Sequence, residues 1–110
     1  MSEARYNVEL TLSARHDLDS IHSFYAELGS GVDADALIQK LLAKAAELSV
    51  FPFRGNVPKE LDALGIHDFR QVTMPPYRII YQVAGDIVQI LLVADGRRDM
   101  QALLEARLLG

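Results

Sequence analysis

Residues 69–99 read FRQVTMPPYRIIYQVAGDIVQILLVADGRRD. Two long strands stand out, Tyr77–Ala84 and Ile87–Asp95, joined by Gly85-Asp86. A two-residue loop with glycine first needs a positive φ, which glycine adopts without a Cβ clash; this is the signature of a tight hairpin. The loop predicts the register: Val83 opposite Val88, Tyr81 opposite Ile90, Ile79 opposite Leu92. Side chains alternate along a strand, so those pairs share one wholly apolar face. The other face carries Arg78, Ile80, Gln82, Gln89, Leu91, Val93 and Asp95 and leads into Arg97-Arg98. That second face is expected to be mixed and turned away from the core.

Outward from the hairpin, residues 66–73 read as a short strand, and Met74-Pro75-Pro76 turns the chain into Tyr77. Asp99 is placed to cap a final helix with Met100, Leu103, Leu104 and Leu108 on its inner side. Upstream, residues 6–12 alternate apolar and polar, the pattern of a half-buried strand. Ser13 suits an N-cap, and Ala14, Leu18, Ile21, Tyr25 and Leu28 then recur at helical spacing beside Phe24. Gly29-Ser30-Gly31 ends that helix. Asp33 caps a second, over residues 34–49, with Leu37, Ile38, Leu41, Ala45 and Leu48 on one side. Pro52 stops it, residues 51–58 are loop, and residues 58–64 form a short helical turn closed by Gly65. The expected fold is α+β, in the order β-α-α-β-β-β-α. A small, mostly antiparallel sheet has an N-terminal αα-hairpin packed on one face.

Residues 1–110 make one domain of a size that buries a single core. Half the residues are hydrophobic, but no apolar run approaches the ~20 residues that span a bilayer, and no signal peptide is visible. No partnership with a membrane is expected, and the absence of cysteine fits a cytoplasmic protein. The net charge of −4 is uneven. Residues 1–50 hold eight acids against four bases, whereas residues 69–98 hold Arg70, Arg78, Arg97 and Arg98 against Asp86 and Asp95. The global balance argues against broad nonspecific nucleic-acid binding, but a local cationic patch on the hairpin remains open.

His16, His22 and His67 show no zinc spacing, so neither a metal nor another cofactor is expected. No nucleophile elbow, GxxxxGK[ST] or GxGxxG motif occurs. The arginines carry what signal there is. Arg78 lies within diagonal reach of Asp95 for an intrasheet ion pair; alternatively its fork of donors binds phosphate or carboxylate. Arg97-Arg98 follow a strand end, and Arg70 on the neighbouring strand adds a third contributor. Tyr77 and Tyr81 have the parity of the core face.

The chain resembles the RelE/ParE superfamily, the toxins of type II toxin–antitoxin (plasmid stabilisation) pairs. The specific matches are Tyr77-Arg78-Ile79-Ile80-Tyr81 with Gly85-Asp86, and Gly96-Arg97-Arg98-Asp99 with Leu103-Leu104 and Arg107. Ala14, Asp17-Leu18, Ile21, Leu48, Pro52, Gly55 and Phe69-Arg70 extend the likeness over nearly the whole length. The resemblance implies an antitoxin whose disordered segment folds as it wraps the toxin, in a heterotetramer, or a homodimer of the toxin itself. It also implies growth inhibition, by one of two routes. RelE-like members cut mRNA in the ribosome without metal; ParE-like members poison DNA gyrase and are not nucleases. Arg78 and Arg98 match the arginines of the nucleases. Phe69 and Gln71 stand where those enzymes carry lysines, and the final helix offers only Asp99, Glu105 and Arg107 as ionisable groups. The expectation is therefore a ParE-like toxin with no catalytic residues, in which Arg70, Arg78, Arg97 and Arg98 contact target or antitoxin. The alternatives are a metal-independent endoribonuclease using Arg78 and Arg98, and an inactive member that only binds its partner.

Overall fold

A computed structural model describes residues 5–29 and 31–110. Ser30, read with its flanking glycines as a helix end, lies outside the described residues. The elements are β1 (Asn7–Leu10), α1 (Leu12–Leu28), α2 (Ala34–Ala46), α3 (Lys59–Asp62), β2 (Arg70–Met74), β3 (Tyr77–Ala84), β4 (Ile87–Asp95) and α4 (Met100–Leu104). A 3₁₀ turn, Glu47–Ser49, tightens the end of α2, and a wider π-helical turn, Glu105–Leu109, continues α4. The sheet order is β1-β4-β3-β2, with β1 parallel to β4 and the other pairs antiparallel. This is the expected α+β architecture.

The hairpin forms as its loop dictates, with Gly85 at φ 61°. Tyr81 faces Ile90 and Val83 faces Val88. Beyond Tyr81 the register shifts: Ile80 pairs with Leu92 and Ile79 with Val93, so Leu91 is an extra residue in β4. The expected Ile79–Leu92 pair is corrected by this bulge, which reverses the parity of everything after it. Val93 turns to the first face, with Ile79, Tyr81, Val88 and Ile90, where α1 and α2 cover them through Ala14, Leu18, Leu41 and Ala45. Leu92 and Ala94 turn to the second face and join Ile80, Leu61, Met100 and Leu104. The second face is therefore a second core, not the mixed surface expected from strict alternation.

The remaining differences are at element ends. β1 stops at Leu10 because Thr11 serves two purposes. Its N–H donates to the Ile90 carbonyl at 3.0 Å, and its hydroxyl accepts from Ala14 N–H at 3.1 Å, so Thr11 and not Ser13 caps α1. Asp33 and Asp99 cap their helices as expected, accepting from Ala36 and Ala102 N–H at 3.0 and 3.1 Å. β2 begins later than residue 66 because Ile66 N–H is taken by the Leu61 carbonyl at 2.9 Å, while Ile66 and Phe69 pack on the second core.

Candidate functional site

Of the residues singled out in the sequence, Arg78, Arg97 and Arg98 lie where β3 begins and β4 ends. Tyr77 pairs with Asp95 there, so neighbouring positions Arg78 and Arg97 leave the same end of the sheet. On the second face, Arg78 is gripped from three directions. Its Nη1 and Nη2 donate to both oxygens of Glu60, each at 2.8 Å, and its Nε donates to Gln71 Oε1 at 2.7 Å. Only 12% of the Arg78 side chain and 11% of Glu60's remain exposed. Gly96 makes room for this: a Cβ there would stand 2.8 Å from Arg78 Cδ. The hydrogen bonds from Arg78 hold the Glu60 carboxyl below its usual range, outweighing the partial burial that pushes it up. A hollow of about 360 Å³ beside this lock is lined by Asn56, Val57, Lys59, Gln71, Arg78 and Gly96.

On the first face a groove of about 560 Å³ opens between α1, the last residues of β4 and the C-terminal helix. Its apolar wall includes Ile21, Phe24 and Leu103, with Phe24 58% exposed, and its rim carries Arg97 and Arg98. Arg97 donates through Nε and Nη2 to Asp95 at 2.9 and 2.6 Å, and its backbone N–H joins at 2.9 Å. These bonds hold the Asp95 carboxyl down at about 2. Arg98 is exposed, and among the described residues its side chain makes no ion pair. In the groove wall the Tyr77 hydroxyl donates to Tyr25 at 3.1 Å; burial, then that bond, push its pKa up, so it stays protonated.

The groove floor is built by a side-chain substitute for a strand. β1 ends before the bulge, leaving the outer edge of β4 without a neighbour. Arg107 Nη1 donates to the Leu91 carbonyl at 2.8 Å, and Val93 N–H donates to Asp17 Oδ2 at 3.0 Å. Asp17 and Arg107 then pair through two contacts at 2.9 and 3.0 Å. Asp17 and Arg107 thus complete the ladder where backbone runs out, and tie α1, β4 and the C-terminal helix together.

The four arginines singled out in the sequence do not converge. Arg78 faces the second core and pairs with Glu60, not with Asp95; Asp95 belongs to Arg97. Arg70 turns to the other end of the sheet, donating to the Phe53 and Gly55 carbonyls at 3.2 and 2.7 Å. Arg97 and Arg98 alone share a rim. Sequence reading missed Glu60, Gln71 and Lys59 around Arg78, and Tyr25 against Tyr77. The parity of Tyr77 with the core face was the one available hint to the last. Among the described residues no three of His, Asp and Glu come together as a metal-ligand set, and no helix is long and apolar enough to cross a membrane.

Comparison with known proteins agrees with the geometry. The fold is similar to that of the chromosomal ParDE toxin–antitoxin system from P. aeruginosa, with a TM-score of 0.69 and 23% identity, covering 84% of this chain and 98% of that one. It is also similar to the RelBE2 toxin–antitoxin complex from Mycobacterium tuberculosis, with a TM-score of 0.61 and 22% identity, covering 86% and 94%. Among curated proteins none matches significantly. Residues 8–100 match the family described as the ParE toxin of the type II toxin–antitoxin system parDE. That match reaches all four strands of the sheet, the Arg78 lock and the Arg97-Arg98 rim: the chain belongs to the ParE toxin family within the RelE/ParE superfamily.

Proposed function

We propose that this toxin does not cut RNA, but arrests growth by binding DNA gyrase or a related topoisomerase, and that a cognate antitoxin neutralises it. The observation that carries this choice is the state of Arg78. Metal-free RNA cleavage needs a base for the 2′-hydroxyl, an acid for the leaving oxygen and cations at the phosphate. A phosphate reaching Arg78 would have to displace the Glu60 carboxylate, bonded twice at 2.8 Å in a largely buried site. Tyr77 is held protonated and Arg107 is bound to Asp17, so neither supplies a base. Membership of the ParE family supports the same direction. Purified protein should inhibit gyrase supercoiling in vitro; normal supercoiling with toxin in excess would reject the reading.

The similar structures from P. aeruginosa and M. tuberculosis are toxin–antitoxin systems, which supports an antitoxin partner here. The groove beside Phe24 and Leu103 suits an acidic, apolar segment that folds as it docks, with Arg97 and Arg98 facing its carboxylates. Charge reversal at both arginines should weaken that complex at low salt, and unchanged affinity would argue against it.

A second reading, the RelE-like ribonuclease, is favoured by the exposed Arg98 and by Lys59, a cation bordering the hollow over Arg78. Ribosome-bound mRNA cut by the wild type and spared by Arg98→Ala would establish it. Expression without growth arrest would leave the third, an inactive member that only binds its partner.

A further inference from the structure

Between the 3₁₀ turn and α3 the chain forms a knuckle with two exposed aromatic rings. Phe51 is 63% and Phe53 57% exposed. Together with Val50, Pro52 and Arg54 they line a shallow hollow of about 290 Å³. The loop is fastened from behind. Arg70 donates to the Phe53 and Gly55 carbonyls, and its guanidinium lies 5.3 Å from the Phe53 ring centre. Tyr6 meets the same ring edge-on at 6.2 Å. Gly55 N–H donates to the Tyr81 hydroxyl at 3.1 Å, and Asn56 and Gln71 exchange two backbone hydrogen bonds at 3.2 and 2.8 Å. Gly55 is packed so closely that a Cβ would collide with the Gln71 carbonyl oxygen and stand 2.6 Å from the Tyr81 hydroxyl.

Rigid, exposed aromatic groups lose little freedom on binding, and aromatic and arginine side chains are the usual anchors of protein interfaces. The surrounding charge is positive in a chain of net −4. Arg54 and Lys44 share the single acid Glu47 at 2.7 and 3.8 Å, with Arg70 behind the rings and exposed Arg5 next to Tyr6. The knuckle lies towards the turn end of the hairpin, where Arg70 pairs with Tyr81 and Asn7 with Ile87, away from the groove at the Tyr77–Asp95 end.

We propose that the Phe51–Arg54 knuckle is a second docking surface, which takes an acidic protein segment whose apolar side chain seats between the two phenylalanine rings. Single-stranded nucleic acid would also stack on exposed rings, but it needs cations spread along a groove that follows several phosphates. This hollow is shallow, about 290 Å³, and Arg54 is the one cation lining it, which suits a carboxylate beside an apolar side chain. The role of this surface as the target-contacting face rests on the toxin reading above; its docking chemistry does not.

The test is a titration of the isotope-labelled full chain, followed by NMR. The probes are a short peptide with Asp and Glu flanking a Leu-Phe pair, the same peptide with Lys in place of the acids, and oligo-dT. The acidic peptide should perturb the amides of Phe51, Phe53 and Arg54. Phe51→Ala, at an exposed position that leaves the fold intact, should weaken it about tenfold or more, and Arg54→Glu should weaken it as well. No perturbation, perturbation confined to the groove around Phe24 and Arg98, equal binding of the Lys peptide, or stronger binding of oligo-dT at the same amides would each overturn the proposal. If the peptide docks as described but the protein never inhibits supercoiling, the topoisomerase reading falls and this surface stands. If supercoiling is inhibited and the peptide leaves the knuckle untouched, this surface falls alone.

Discussion

Arg78 and Arg97 leave the same end of the sheet, and each grips a carboxylate through two nitrogens at similar distances. Their surroundings differ. The Arg78–Glu60 side chains are 12% and 11% exposed; Arg97 is 78% exposed above Asp95. Contact geometry alone therefore does not say which arginine holds the fold and which is available to a partner. Burial decides, because a buried charge that loses its partner stays out of water, whereas an exposed one is simply rehydrated. Arg78, the residue that a family likeness marks as a phosphate ligand, is here paired with Glu60 and largely buried.

The comparison breaks most readily at Arg78. Arg78→Ala leaves the Glu60 carboxylate stranded beside the second core and Gln71 without its donor. The expected loss is about 3 kcal/mol or more in urea unfolding. Replacing both partners, Arg78→Met with Glu60→Leu, should recover most of that loss, since no charge is then left unpaired. A cost near zero for Arg78→Ala would mean that the guanidinium is a surface group after all, and would reopen its role at a phosphate.

The Asp17–Arg107 pair is intermediate in exposure, and its partners include backbone. Asp17→Ala removes the acceptor of Val93 N–H and one side of the ion pair. About 2 kcal/mol of stability should be lost, with faster amide exchange at Val93. Because both side chains complete one strand edge, Asp17→Ala and Arg107→Ala combined should cost clearly less than their sum. Additive losses would show that the two act separately.

These regions also differ in how far the sequence revealed them. The hairpin was legible because Gly85-Asp86 sets a register and Tyr81, Val83, Val88 and Ile90 alternate cleanly with polar residues. The second core was not, because Leu91-Leu92-Val93-Ala94 is continuously apolar and alternation has no phase to read there. A bulge at Leu91 therefore left no mark, and Leu92 was placed on the wrong face. Asp33 and Asp99 were readable as caps because each directly precedes its helix. Thr11 was passed over for Ser13 because only the strand pairing shows that it ends β1 and starts α1 together. Of the two readings of Arg78, ion pair or anion ligand, the first offered Asp95 as partner because only distances within the sheet follow from the register. Glu60 arrives on a single helical turn, α3, whose position is set by Leu61 entering the second core.

Acid sharpens the contrast between the two carboxylates. Glu60 has its carboxyl lowered, chiefly by the hydrogen bonds from Arg78. Its contribution to stability is present above the ordinary carboxylate range, near pH 4.3, and is lost as pH falls through its lower folded value. Asp95, held at about 2, behaves with the same sign, keeping its contribution from pH 3.9 upward and losing it towards pH 2. Glu60→Gln should therefore flatten the acid limb of the stability curve, and that limb should change little in ~1 M salt because the pair is shielded from solvent ions.

Arg97→Ala carries the smallest expected effect. An exposed pair contributes at most about 1 kcal/mol, and screening at ~1 M salt removes most of it. The variant should unfold in urea almost as the wild type does, and the Asp95 carboxyl, which keeps the backbone N–H of residue 97, should titrate only modestly higher when followed by NMR. The two changes are linked and stay small together where water screens the pair, which leaves Arg97 free to be drawn to another carboxylate. If Arg97→Ala instead cost as much as Arg78→Ala, burial would not be what separates the two arginines, and the rim would be part of the scaffold.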